Sequence, residues 1–172
     1  MRGVVLLSRR RMMIKKREIT LVLHPSSYDT ETHSWYSVSN ISNGYAKASS
    51  TTYAIINCDG SGAEAYIHYK FDTSSIPNGA EIISVACSVK ILINGNSTTT
   101  PVKNVQMFTG LTAKGSVQSV TSTAQTYSLD VGDCTLEELR DIRVRPYMKE
   151  GSTTLHYHIA FYGADLTITY RI

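Results

Sequence analysis

Charged residues and cysteines are both scarce in this chain of 172 residues, and each shortage limits what the protein can do. Charged residues make up 18% of the sequence and hydrophobic residues 42%, which is typical of one globular domain with a weakly charged surface. The three cysteines, Cys58, Cys87 and Cys134, are far apart and odd in number. Cys87 lies in an apolar alternation, so we expect it to be a small core residue. No secretion signal favours a disulfide between the other two.

Catalytic motifs are also missing from the sequence. The serines lie in no nucleophile elbow, and no glycine-rich phosphate loop is present. The carboxylates are scattered, whereas a glycosidase needs two positioned carboxyl groups that flank a sugar. No apolar segment approaches the length of a membrane span. We therefore expect a protein that is not an enzyme, requires no cofactor and does not insert into a membrane.

Basic residues are concentrated at the N-terminus. Seven of the 17 basic residues and one of the 14 acidic residues lie in residues 1–18, so residues 19–172 hold ten basic and thirteen acidic residues and carry a net charge of −3. The folded part therefore lacks the basic character of a nucleic-acid-binding domain. We expect residues 1–18 to form a basic arm and residues 19–172 to form one domain. The arm residues with a candidate role in assembly are Arg9, Arg10, Arg11, Lys15, Lys16 and Arg17.

This basic arm allows three interpretations. Blocks of like charge are usually solvated, so the first is a disordered tail. The second is an ordered arm that docks on a neighbouring subunit. The third is a start assigned too early, because Met12 and Met13 offer later initiation points. A secretory signal is not expected, since the segment lacks a long apolar core and a small-residue cleavage site.

Residues 66–93 are the stretch around which we expect the other strands to assemble. Residues 66–71 alternate with the two-residue period of a half-buried strand. The predicted inner face is Ile67, Tyr69 and Phe71, and the predicted outer face is Tyr66, His68 and Lys70. Pro77-Asn78-Gly79 then predicts a turn, because proline presets φ and glycine accepts positive φ. The following strand is predicted to be the longest, with Ile83, Val85, Cys87, Val89, Ile91 and Ile93 facing inward.

The rest of the chain shows short alternating segments between glycine and asparagine turns. Strands are expected at 19–23, 53–57, 102–109, 117–120, 127–131, 142–147, 155–161 and 166–170, with turns at Asn43-Gly44 and 110–116 and a break at Gly163. One short helix is predicted near 135–141, because Thr135 and Glu138 have the spacing of a capping box. This pattern predicts an all-β protein, an antiparallel β-sandwich.

Residues 66–85 also carry a resemblance to a known family. The phrase Tyr-x-x-Tyr-Lys-Phe-Asp-Thr-Ser-Ser-Ile-Pro-Asn-Gly-Ala-x-Ile-x-Ser-Val resembles the signature of DNRLRE-type jelly-roll domains, which are related to carbohydrate-binding modules. The chain beyond about residue 28 is also similar to virion-associated proteins of phages that infect Firmicutes-type gut bacteria. The resemblance implies a jelly roll and favours a virion component, although one fold hosts many functions.

Histidines and carboxylates are the candidate metal ligands. His156 and His158 share a face of one predicted strand, but zinc usually takes three or four ligands and no cysteine or carboxylate lies at a helpful spacing. We therefore predict no metal site there and expect a half-exposed sheet face. Asp72 is predicted to cap the turn backbone at 73–75. The alternative, which the resemblance implies, is a structural calcium held by loop oxygens; other conceivable ligands are Asp59, Glu64 and Asp165.

Four aromatic residues in or beside the N-terminal loops are the candidate glycan-binding site. Sugar-binding sandwiches stack aromatic rings on pyranose faces, and Trp and Tyr combine a large contact area with a polar tip. The candidates are Trp35, Tyr36, Tyr45 and Tyr53. The alternative for a single Trp in an alternating segment is a partly buried core position.

The function that we expect from the sequence is association. The chain is interpreted as a structural protein of a phage virion, a capsid decoration, head-fibre or tail-associated protein that docks on other virion proteins and on copies of itself. The alternative is a carbohydrate-binding module for cell-surface or mucus glycans, with an extracellular location. In neither case is nucleic acid expected to bind the folded domain.

Overall fold

The computed structural model describes residues 16–29, 36–58, 64–95, 102–149 and 157–172, and within these ranges the protein is built from two antiparallel sheets of six strands each. Sheet A contains β1 (Glu18–Leu23), β3 (Tyr36–Ser39), β4 (Ala54–Cys58), β7 (Glu81–Gly95), β10 (Gln125–Asp130) and β12 (Tyr157–Arg171). Sheet B contains β2 (Pro25–Asp29), β5 (Glu64–Tyr66), β6 (His68–Phe71), β8 (Val102–Thr109), β9 (Thr112–Ser119) and β11 (Ile142–Lys149).

The strand order is that of a jelly roll. Sheet A has the order β10-β7-β12-β4-β3, and sheet B has the order β2-β6-β11-β8-β9, with β5 also paired to β11. From β4 onward the chain passes repeatedly between the sheets, as the two Greek keys of a jelly roll require. The predicted fold class, an all-β antiparallel sandwich, is confirmed. Among the described residues, β12 pairs with β7 along one side and with β4 and β1 along the other, and β11 likewise pairs with three strands of sheet B.

Alternating side chains of both sheets fill the core. On β7 the predicted inward residues from Val85 to Ile93 are buried, and Cys87 is 2% exposed, which confirms it as a core residue. On β11 the sequence alternation predicts one common face for Ile142, Val144 and Pro146, and the structure buries that face together with Met148. Tyr69 of β6 stacks on Phe161 of β12, with ring centroids 4.3 Å apart, so the two sheets are joined through aromatic packing.

Two β-bulges explain where the predicted alternation is wrong. Ile83 was expected to face inward, but the register of β7 on β12 shifts at this residue and Ile83 is 43% exposed. Gly163 was expected to end a strand, but it lies within β12, at the second register shift. A bulge adds one residue to one strand, so the inward parity reverses beyond it. Inward residues of β12 are accordingly odd-numbered up to Phe161 and even-numbered from Ala164.

Other predictions are corrected at sheet B. The face of Tyr66 and His68 was expected to be half-exposed, but these residues are 8% and 2% exposed because ring and guanidinium groups of neighbouring strands pack over them. The predicted turn region at 110–116 is mostly strand, since β8 and β9 form a hairpin in which Thr109 pairs with Thr112. The tight turn predicted at Asn43-Gly44 is part of a 3-10 helix, Ile41–Tyr45.

The predicted helix and turn are confirmed together. The helix α1 (Leu136–Leu139) begins after Thr135, and the capping box with Glu138 is formed in both directions. The turn after β6 has Gly79 at φ +85°, and the Asp72 carboxylate accepts a hydrogen bond from the Ser74 amide at 2.9 Å. Asp72 therefore caps the turn, as predicted. None of the helices in the described ranges has the length and apolar character that crossing a membrane requires.

Candidate functional site

The predicted aromatic residues do not form one platform. Trp35 lies outside the described residues, and Tyr36 lies in β3, opposite Cys58 of β4. Tyr45 packs between two other rings, 6.3 Å from Tyr28 and 6.3 Å from Tyr69 in an edge-on arrangement. Burial raises the pKa of Tyr45. Tyr45 is therefore part of an aromatic packing cluster.

Tyr53 is the predicted residue that reaches a solvent-exposed sheet face. Its ring lies 4.9 Å from that of Tyr162, and Tyr53 is 37% exposed. The ammonium of Lys90, on the neighbouring strand β7, lies 4.6 Å from the Tyr162 ring centroid and donates a hydrogen bond to the Ser50 carbonyl at 2.9 Å. The two tyrosines and the lysine form one row across the outer face of sheet A.

A polar row lies on the same face, further along the strands. Asn57 of β4 is opposite His158 of β12, and both are partly exposed. The Asn57 amide donates a hydrogen bond to the Ser37 hydroxyl of β3 at 3.0 Å, so its carbonyl oxygen points elsewhere. Amide and imidazole groups can both donate and accept hydrogen bonds.

An apolar row separates the tyrosine row from the polar row. Ala160 of β12 has Ile55 of β4 on one side and Leu92 of β7 on the other. Successive rows on a sheet face are about 6.6 Å apart, because each strand residue advances about 3.3 Å. We call this surface the sheet A face; its members are Ser37, Tyr53, Ile55, Asn57, Lys90, Leu92, His158, Ala160 and Tyr162. Along this face, two aromatic rings and a lysine are therefore followed by an apolar row and then by a row of amide and imidazole groups.

The outer face of sheet B carries an arginine–aromatic cluster that sequence reasoning missed. The guanidinium carbon of Arg145 lies 4.1 Å from the Phe108 ring centroid and 5.1 Å from that of Tyr147. His68 contacts Phe108 edge-on, with centroids 5.4 Å apart. Burial raises the pKa of Tyr147, and the nearby Glu64 carboxylate adds to the effect. The alternation of Arg143, Arg145 and Tyr147 in the sequence predicts that they share one face of a strand. That this face lies beside His68 follows only from the pairing of β11 with β6.

Ion pairs lie on this same sheet face, where β2, β6 and the start of β11 are side by side. Asp29 of β2 accepts from Lys70 of β6 and from Arg143 of β11. The hydrogen bond from Lys70 is the main reason that the pKa of Asp29 is lowered. Arg143 also donates to both carboxylate oxygens of Asp141, at 2.9 and 2.8 Å. These charges are paired, so they stabilise the edge of sheet B more readily than they would bind a ligand.

The described end of the basic arm is attached to sheet A. Arg17 exchanges two backbone hydrogen bonds with Ile172, each of 3.2 Å. Lys16 forms an ion pair with Glu81 at 2.9 Å, and Glu18 accepts from Arg171. The other predicted arm residues, Arg9, Arg10, Arg11 and Lys15, lie outside the described residues.

Metal ligands are not clustered in the part of the chain that the structure describes, where no three histidine, cysteine or acidic side chains come together. Two of the conceivable oxygen ligands already have side-chain partners: Glu64 pairs with Lys149 at 2.7 Å, and Asp165 lies 2.9 Å from the His24 imidazole. His156 and Asp59 lie outside the described residues. Cys134 is a free thiol whose pKa is raised to about 11 by burial, so it is a poor nucleophile.

No protein-family model matches this chain, and no curated protein matches it either.

Proposed function

We propose that this chain is a non-enzymatic structural protein of a phage virion that acts by docking on neighbouring subunits. The observation that carries the proposal is the way the basic arm joins the sandwich. Arg17 continues the ladder of β1 by pairing with Ile172, and Lys16 is held by Glu81. The described part of the arm therefore lies at the end of an edge strand, where a neighbouring subunit has access to it.

Charge supports the same proposal. Residues 19–172 carry a net charge of −3, whereas residues 1–18 hold seven basic residues and one acidic residue. An arm with this charge is attracted to an acidic surface, including that of another copy of the domain, and such attraction steers association. The resemblance of residues 66–85 to virion-associated jelly rolls supports a location in the virion. Those residues form β6, the capped turn and the start of β7.

Light scattering on two forms of the protein tests the arm. The full-length chain and a chain that begins at Glu18 are compared over a range of concentrations and salt. We expect the full-length chain to have the larger number of subunits per particle at low salt, and the difference to shrink as salt screens the arm. An equal number of subunits under all conditions would remove the arm as a means of self-association.

A glycan-binding role is the second candidate, and the sheet A face favours it. Tyr53 and Tyr162 present two neighbouring rings, and Asn57 and His158 lie two rows away on the same face. Anionic ligands fit this face less well than neutral ones. Lys90 is the lysine on this face, and its ammonium group already contacts the Ser50 carbonyl and the Tyr162 ring.

The glycan role is tested by screening neutral and acidic glycans with Tyr162→Ala. If the sheet A face binds a sugar, this variant loses binding by about tenfold or more, because a stacked aromatic ring contributes on the order of 1 kcal/mol or more. Tyr28→Ala is the matched control, since Tyr28 is 38% exposed but lies on sheet B. Binding that survives in Tyr162→Ala and is lost in Tyr28→Ala would place the glycan elsewhere.

A further inference from the structure

The six-residue strand β1 is an edge strand whose outer side has no partner among the described residues. It pairs with β12 alone, from Glu18 opposite Arg171 to Leu23 opposite Leu166. Arg17 and Ile172 exchange two backbone hydrogen bonds. In an antiparallel ladder such pairs alternate, so Ile19, Leu21 and Leu23 also direct their backbone groups to β12. The backbone N–H and C=O groups of Glu18, Thr20 and Val22 therefore point away from the sheet.

Four of the other edge strands are protected in ways that β1 is not, whereas β10 keeps an unbroken register and lacks proline, glycine and lysine, but its inward Leu129 is already buried, at 2% exposed. Strand β2 starts with Pro25 and has a bulge in its pairing, and β3 and β5 are four and three residues long. Strand β9 carries Lys114 opposite the core residue Met107, and its bulge brings Gly115 against the Asp130 carbonyl of β10. Proline, inward charge, bulges and short length all oppose edge-to-edge pairing.

Strand β1 has none of these protective features. It keeps an unbroken register with β12 and contains no proline, glycine or lysine. The side chains that it turns toward the core, Ile19, Leu21 and Leu23, pack against the core but are only partly buried. On its outer face Val22 is 52% exposed. An open edge with half-covered apolar side chains fits one more strand of the same kind.

We infer that β1 pairs antiparallel with β1 of a second copy across a two-fold axis at Leu21, which joins two copies of sheet A into one continuous sheet. A homodimer of this type uses the same surface on both subunits. In this register Thr20 lies opposite Val22 of the second copy, and these residues carry the outward backbone groups. Leu21 lies opposite Leu21, and Ile19 opposite Leu23, so the partly buried side chains cover one another.

No like charges face each other in this register. Glu18 at one end of the strand lies opposite His24 of the second copy, and the two-fold axis repeats the contact at the other end. Within one copy Glu18 accepts from Arg171, and His24 lies 2.9 Å from Asp165. The added contact therefore joins the Glu18–Arg171 ion pair of one copy to the His24–Asp165 contact of the other. This inference deepens the proposed docking function, because it names one docking surface and its partner.

Molar mass and cross-linking of the full-length protein test the inference. We expect the wild-type protein to form a concentration-dependent dimer. Thr20→Pro should raise the dissociation constant of this dimer by about tenfold or more. The reason is that proline removes an N–H group that points outward and removes none of the hydrogen bonds to β12. Val22→Lys, which places a charge on the open edge, should do the same, whereas Thr20→Val should not. Thermal unfolding of each variant checks that the fold is retained.

Leu21→Cys provides a second test that does not depend on weakening the dimer. Opposite residues of a non-hydrogen-bonded antiparallel pair have Cα atoms about 4.5 Å apart, which a disulfide can bridge. Oxidation should therefore give a covalent dimer, whereas the wild-type protein and Thr126→Cys on the edge strand β10 should give none. A wild-type protein that is monomeric at every concentration, or a dimer that both Thr20→Pro and Val22→Lys leave unchanged, would overturn the inference. Neither result bears on whether the chain is present in virions, which is measured separately on purified particles.

Discussion

Gly163 offers a quantitative test of the bulge that shapes β12 and sets Tyr162 beside Tyr53. Its φ of +142° is one that residues with a side chain rarely adopt. A Cβ atom at this position would lie 2.1 Å from the Ala46 carbonyl oxygen and 2.9 Å from that of Lys47. The Ala46 oxygen cannot retreat freely, since it accepts a hydrogen bond from the Ala164 amide at 3.1 Å.

The two costs of Gly163→Ala add. The unfavourable φ costs about 1–3 kcal/mol, and overpacking against backbone costs about 1–3 kcal/mol more. We therefore expect the free energy of unfolding to fall by about 4 kcal/mol. In a domain of this size the melting temperature should fall by roughly 8–16 °C.

The control for this prediction is Gly79→Ala, because it separates the two costs. Gly79 also has positive φ, at +85°, but nothing lies within 4 Å of its Cβ position. Gly79→Ala should lose only the conformational part, about 1–3 kcal/mol. Urea unfolding of both variants provides the comparison. If Gly163→Ala were no less stable than Gly79→Ala, the close approach of the 46–47 backbone to β12 would be wrong.

Two further predictions concern single side chains. Tyr69→Phe should stabilise the protein by about 1 kcal/mol in urea unfolding, because an unpaired buried hydroxyl costs about 1–3 kcal/mol and the Tyr69 hydroxyl is buried without a hydrogen-bond partner among the described residues; a marked loss of stability would instead reveal a partner. Glu138→Gln should reduce the loss of stability in acid. The hydrogen bond from Lys114 lowers the pKa of Glu138 in the folded protein below its ordinary value of 4.5. The carboxylate therefore contributes stability that is fully present above pH 4.5 and is lost as the pH falls through the lower pKa of the folded state. Stability curves from about pH 6 to pH 3, with Glu137→Gln as the neighbouring control, should show a flatter decline for Glu138→Gln only.

The sequence predicted the elements that depend on local alternation. The parity of β7 between Val85 and Ile93, the inward face of β11 and the capped start of α1 all follow from side-chain period and capping chemistry, which act within a few residues. The bulges at Ile83 and Gly163 did not follow, because a bulge is a property of two paired strands. Its position depends on β12 meeting both β7 and the 46–47 backbone.

The candidate site was predicted only in part for the same reason. Tyr53 was expected to bind a glycan and does reach an exposed face, but its ring partner Tyr162 comes from a strand more than one hundred residues later. His68 was expected to be half-exposed, and its burial depends on Phe108 and Tyr66 beside it in sheet B. Such contacts follow from strand order, and the alternation of one strand holds no information about its neighbours.

The measurement that tests the central claim most directly is the composition of virus particles. Particles are purified by density gradient from a lysed culture that carries the gene, washed in salt, and analysed by mass spectrometry. The proposed function predicts that this chain stays with the particles in a fixed ratio to the capsid protein. Recovery of the chain only in the soluble fraction, with none in the particles, would contradict it.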